Sequence, residues 1–122
     1  MRKKTRGELE AEFTKAIIAQ EKDYFGRGPS DARTFLLNDM IVVRLRGILA
    51  PAESRLAENP ENRELIKETR RRLFETARPM IEEMVREITG CNVVSLHTDM
   101  STKTGERIIV LTVDTDLDKR FD

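Results

Sequence analysis

Between Leu9 and Tyr24 the inward positions recur at steps of three and four: Leu9, Phe13, Ala16, Ile17, Gln20 and Tyr24, with Ile18 beside them. That is the period of a helix with one buried face. Thr5 followed by Glu8 has the spacing of a capping box, so the pattern predicts a helix over about residues 5–25. Gly26-Arg27-Gly28-Pro29 ends it, because glycine accepts a left-handed cap and proline cannot continue the ladder. Glu10, Glu12, Lys15, Glu21 and Lys22 are assigned to the outward face.

The period then changes. Arg33 to Leu37 and Met40 to Gly47 are rich in branched and aromatic residues, and Asn38-Asp39 between them tolerates turn geometry. The two runs predict an antiparallel hairpin. Ile41, Val43 and Leu45 form its buried face; Met40, Val42, Arg44 and Arg46 lie on the other, apolar at one end and basic at the other. Gly47 closes the unit.

Pro51 followed by Glu53 predicts a short helix over about residues 51–58, although Ala50 is a poor N-cap. Asn59-Pro60 breaks it and starts the strongest helical pattern of the chain. There Leu65, Ile66, Thr69, Leu73, Ala77, Met80, Ile81, Met84, Val85 and Ile88 form an apolar stripe up to Gly90. Acidic and basic residues on its other face are spaced to pair. Pro79 lies inside the stripe and is expected to kink or split the helix.

Strand character returns over Cys91 to Thr98 and Arg107 to Val113, joined by the polar stretch Asp99 to Glu106. Val94 and Leu96 are assigned to one face with Ile109, Leu111 and Val113, and the acidic tail Asp114 to Asp122 is expected to fray. The order helix, hairpin, helices, hairpin predicts an α+β fold: a four-stranded antiparallel sheet with helices packed on one face. At 122 residues the expectation is a single domain.

Composition narrows the functions. Lys and Arg number 22 against 22 Asp and Glu, so the chain lacks the basic excess of a general nucleic-acid binder. One Cys excludes an intrachain disulfide, and one Cys with one His excludes a zinc set of that kind within one chain. The basic start Met1-Arg2-Lys3-Lys4 meets Glu8, Glu10 and Glu12 instead of an apolar signal segment. The longest apolar runs, Met40–Val43 and Ile108–Leu111, are far short of the about 20 residues of a membrane span. A cytoplasmic protein without direct membrane insertion is expected.

Candidate chemistry is sparse. Arg27 between two glycines offers donors to an anion, beside its plainer role in a helix-stopping turn. His97, with Ser95 and Asp99 on the same side of a strand, has the residue types of a relay. Same-face strand neighbours lie roughly 7 Å apart, however, too far for a direct one. Cys91 is assigned to packing, and Arg70-Arg71-Arg72 to a solvated helix face. Arg44 and Arg46, together on one strand face, are the more pointed anion-contact candidates. No catalytic set, metal site or cofactor motif emerges.

Several segments, taken in order, resemble the small bacterial MpsC-like family. They are Gly26-Arg27-Gly28-Pro29, the hairpin from Asn38 to Gly47, Leu49-Ala50-Pro51-Ala52-Glu53 with Leu56, Leu96-His97-Thr98-Asp99, and Ser101 to Glu106. The resemblance covers about residues 8–113. Ala50 stands where the family typically has Thr, which weakens the local helix cap. The family's name refers to a cation-linked system that generates membrane potential and is connected with bicarbonate uptake, in which a small soluble member accompanies membrane subunits. The resemblance therefore implies an accessory role with a membrane-subunit partner and supplies no catalytic residue. Together with apolar side chains on both faces of the first hairpin, it leads to the expectation of a non-enzymatic interaction domain that forms a homodimer. The alternative is a small-ligand or anion-binding regulatory domain using Arg27, Arg44, Arg46, His97 and Asp99.

Overall fold

The computed structural model describes residues Lys4–Phe121. The basic start Met1-Arg2-Lys3 and the terminal Asp122 lie outside the described residues.

Helix α1 spans Arg6–Phe25, and Thr5 caps it as its spacing with Glu8 predicts: the Glu8 N–H donates to the Thr5 hydroxyl at 3.2 Å. It ends at Gly26, whose φ of 85° is the left-handed cap that glycine adopts without strain. Strands β1 (Asp31–Leu37) and β2 (Met40–Arg46) pair across a tight turn in which Asn38 takes a φ of 54°. Helix α2 (Pro51–Leu56) and a 3₁₀ turn (Pro60–Asn62) lead into α3 (Arg63–Thr89), then β3 (Val93–Met100), β4 (Arg107–Val113) and a short α4 (Leu117–Arg120).

The sheet is antiparallel throughout, in the order β1-β2-β4-β3. The last strand thus inserts beside β2, and both hairpins keep an outer strand at an edge. Strand alternation then divides the side chains in two. Leu36, Ile41, Val43, Leu45, Leu96, Ile109, Leu111 and Val113 point one way and are buried with Leu9, Phe13 and Ile17 of α1 and Ile66, Phe74, Ile81 and Val85 of α3. This is the core, and it lies on the helix-covered side of the sheet.

Several expectations change. The long helix runs unbroken through Pro79, which sits on an exposed turn where water can take the carbonyl that its missing N–H leaves free. The buried stripe of α3 is Ile66, Arg70, Phe74, Ala77, Ile81, Val85 and Thr89; Leu65, Leu73 and Met80 are exposed instead. Glu21, assigned outward, is buried on the inner face of α1. A bulge between Val93 and Ser95 inserts one residue, so Val93 faces the core and Val94 is 65% exposed. The tail docks as far as it is described: Leu117 and Phe121 are buried, and the Leu117 N–H donates to Asn38 O at 2.6 Å across the β1–β2 turn.

Candidate functional site

Among the described residues no helix lies over the other face of the sheet. Register places its side chains in rows that cross the strands in the order β1, β2, β4, β3. Leu37, Met40, Thr112 and Ser95 form one row; Phe35, Val42, Val110 and His97 form the next. Arg33, Arg44, Ile108 and Asp99 form the third. The middle of this surface, Met40, Val42, Ile108 and Val110, is apolar and partly buried, and the edge strand β1 adds Phe35, 42% exposed, and Leu37, 47% exposed. One side is basic, through Arg33, Arg44 and Arg46; the opposite edge carries His97 and Asp99. The result is a contiguous apolar patch rimmed by charge.

The candidate residues take distinct places. Arg27 is in the α1–β1 loop, and its guanidinium donates to the carbonyls of Leu49 at 2.6 Å and Gly47 at 3.3 Å, fastening the β2–α2 connection. Arg44 pairs with Glu106 through Nε at 2.7 Å. Arg46 lies farther along the same strand face, beyond the end of its pairing with β4. His97 and Asp99 sit on β3, at the far edge from β1. Oδ1 of Asp99 accepts from its neighbour's backbone, the Met100 N–H, at 2.8 Å and lies 3.3 Å from Lys67 Nζ; the backbone bond is the larger cause that holds this carboxyl below its usual range, with Lys67 adding to it. Ser95, His97 and Asp99 do share a face, and among the described residues the His97 ring has no hydrogen-bond partner. Arg44, Arg46, His97 and Asp99 are therefore on one surface, and Arg27 is not. Gly26, Gly47 and Gly90 serve the backbone, each with a positive φ, while Gly28 and Pro29 complete the loop into β1. Cys91 is buried beside the Arg120 guanidinium.

Hydropathy gives no signal for the second polar feature, a cluster of charges inside the core. Arg70 of α3 donates through Nε to Glu53 Oε2 at 3.0 Å and through Nη2 to Ile48 O at 3.0 Å, with its guanidinium carbon 5.6 Å from the Phe25 ring centre. Arg107 of β4 is 4% exposed, donates to Thr98 Oγ1 at 3.0 Å and stacks 4.8 Å from the Phe74 ring centre. Glu21 faces both arginines. Burial pushes its carboxyl above the usual range, and the two cations only partly oppose that. For Glu53, burial also raises, but the hydrogen bonds from Arg70 and the Ala50 N–H outweigh it and hold the carboxyl low. Arg107 is pushed down by burial. These groups join α1, α2 and α3 to the sheet. Among the described residues no group of three or more His, Cys, Asp or Glu side chains is placed to hold a metal ion, and no helix is long and apolar enough to cross a membrane.

These features define a small α+β domain with one helix-covered and one open sheet face, the open face carrying a charge-rimmed apolar patch. The chain belongs to the family described as Na+-translocating membrane potential-generating system (MpsC), whose model matches residues 5–115. It is 42% identical to Uncharacterized protein YbcI of Bacillus subtilis (strain 168), over 98% of this chain and 97% of that protein. It is 28% identical to Uncharacterized protein YrhF of the same organism, over 89% and 90%. No solved structure matches the chain.

Proposed function

We propose that this chain is a non-enzymatic, cytoplasmic accessory domain of a membrane potential-generating system, and that it works as a homodimer through the open face of its sheet. Family membership supports the system. The observation that carries the mode of action is the apolar run across that face, Phe35 and Leu37 exposed on the edge strand with Met40, Val42, Ile108 and Val110 partly exposed beside them, in a fold whose described helices lie elsewhere. Covering such a surface is worth about 25 cal/mol per Å² of apolar area, and a second copy is the simplest cover. A membrane subunit would then meet the helical side.

The anion-binding alternative finds less support. Arg27 spends its donors on backbone carbonyls and Arg44 on Glu106, while His97 and Asp99 lie two strands from Arg44.

Native mass spectrometry tests the reading. The wild-type protein is expected as a dimer without added mass, and Val42→Glu, which puts a carboxylate in the middle of the face and leaves the core untouched, as a folded monomer. Cells relying on V42E are expected to hold a weaker sodium-dependent membrane potential, read with a voltage-sensitive dye. A wild-type monomer carrying a stoichiometric small anion would overturn the proposal in favour of the alternative.

A further inference from the structure

We infer that two copies of this chain pack sheet against sheet about a two-fold axis running along the strands, so that Arg33 of each copy meets the partner's Asp99. The inference rests on the homodimer reading and fixes its geometry.

The symmetry leaves few choices. A closed dimer through one face is isologous, so its axis lies in the plane between the sheets. With the axis along the strands, each row faces itself reversed: β1 lies over the partner's β3, and β2 over its β4. The rows then match in part: Arg44, paired with Glu106 in its own copy, lies over Ile108, and Leu37 and Met40 lie over Ser95 and Thr112, while the remaining pairs suit one another. Arg33 is opposite Asp99, Phe35 opposite the His97 ring, and Val42 opposite Val110, because each pair occupies mirror positions in one row of the register. With the axis across the strands, each strand lies over its own copy and the rows exchange. Arg33 would then lie over Leu37, Arg44 over Met40 and Asp99 over Ser95. Arg44 meets an apolar side chain about either axis, but this one also desolvates Arg33 and Asp99 against side chains that cannot compensate them, whereas the axis along the strands pairs them.

Reach and exposure fit the first arrangement. Sheets pack about 10 Å apart, a gap that an arginine on one side and an aspartate on the other can bridge. Among the described residues Arg33 has no ion pair, and Asp99, 3.3 Å from Lys67 Nζ of its own chain, keeps its side chain 80% exposed at the edge of β3 with room for a second cation. The face measures roughly 20 Å by 20 Å from strand spacing and rise, about 400 Å² in plan. Two copies thus remove about 800 Å² from the strands' own footprint, near the low end of specific interfaces. Twist of the two sheets makes the strands cross at about 30°.

Sedimentation velocity on the full chain tests it with Arg33→Glu and Asp99→Arg. In the inferred dimer each variant alone places like charges at both symmetry-related contacts, and each is expected to raise the dimer dissociation constant at least tenfold with an unchanged circular dichroism spectrum. An equimolar mixture of the two restores opposite charges at both contacts, so a heterodimer with near wild-type affinity is expected. A dimeric wild type whose variants dimerise normally, or are not rescued by mixing, overturns the inferred axis and leaves the homodimer reading standing. A wild type that stays monomeric overturns both and assigns the open face to a different protein.

Discussion

Removing the Glu53 carboxylate isolates the buried cation of α3. In Glu53→Ala the Arg70 side chain, 9% exposed, keeps one hydrogen bond, to the Ile48 carbonyl at 3.0 Å, with the Phe25 ring at 5.6 Å and the charge of Glu21 as its other partners. The Ala50 N–H at the start of α2, now bonded to Glu53 Oε1 at 2.9 Å, loses its acceptor as well. Ion pairs in water are worth about 0–1 kcal/mol, whereas breaking a buried pair costs about 3–5 kcal/mol. Glu53 is 30% exposed, which places the cost between these limits, at about 2–3 kcal/mol. With a urea slope of about 1.5–2 kcal/mol per M, the unfolding midpoint falls by about 1–2 M. Arg70→Met combined with Glu53→Ala is expected to cost less than the two variants added, since the double change leaves no orphaned charge. The sign with pH follows from the lowered Glu53 carboxyl. Its stabilisation is complete above the ordinary carboxylate range and is lost as pH falls through the depressed value. The gap between wild type and E53A therefore narrows on acidification. Glu68→Ala, which removes a carboxylate bonded to Arg71 and Arg72 on the exposed face of α3, is the control. A Glu53→Ala midpoint shift no larger than that of the control would refute the assignment of Arg70 as a buried cation that needs this partner.

Glu21 carries the opposite sign. Its carboxyl is raised by burial, so its ionised form weakens the fold as pH rises from the ordinary carboxylate range through the raised value. Urea midpoints at pH 5 and pH 7.5 are expected to differ less in Glu21→Gln than in wild type, with the variant the more stable at the higher pH; an unchanged difference would contradict this. Leu117→Ala empties a side-chain site 1% exposed in the docked tail and is expected to cost about 2–4 kcal/mol in a thermal or urea melt. A negligible loss there would mean that the tail does not pack on the β1–β2 turn in solution.

Features governed by neighbours in sequence were the legible ones. Thr5 with Glu8, Gly26 and Asn38-Asp39 act through bonds and dihedrals within a few residues, and each does what its type requires. Features decided by distant contacts were not legible. Nothing local in β4 says that it enters between β2 and β3. Leu65, Leu73 and Met80 lie on one helical face and read as inward positions, but the core selects the stripe that contains Arg70, whose burial depends on a carboxylate seventeen positions away. Val94 reads as a core residue until the bulge reverses its side. Of the open sheet face, only the β2 contribution, Met40 and Val42, is legible directly. Signal for the rest was present in β4, where Ile108 to Leu111 are all apolar: a strand apolar on both faces expects cover on both.

The two exposed apolar features are unequal as contact surfaces, and their spacing says why. On α3, Leu65, Leu73 and Met80 follow one another at eight and seven positions, about one apolar residue for every two turns. A helical seam that buries itself against another helix needs about twice that density. The intervening turns are taken by Glu68 bonded to Arg71 and Arg72, and by Arg78 bridging Glu75 and Glu82, so their charges are already satisfied along the helix. On the sheet, by contrast, adjacent strands lie about 4.8 Å apart, and the apolar residues of neighbouring rows touch without interruption. Arg33 at its border has no ion pair among the described residues. A continuous apolar surface with an unspent charge at its rim has more to gain from a partner than a sparse stripe whose charges are paired, which is why the second copy is assigned to the sheet.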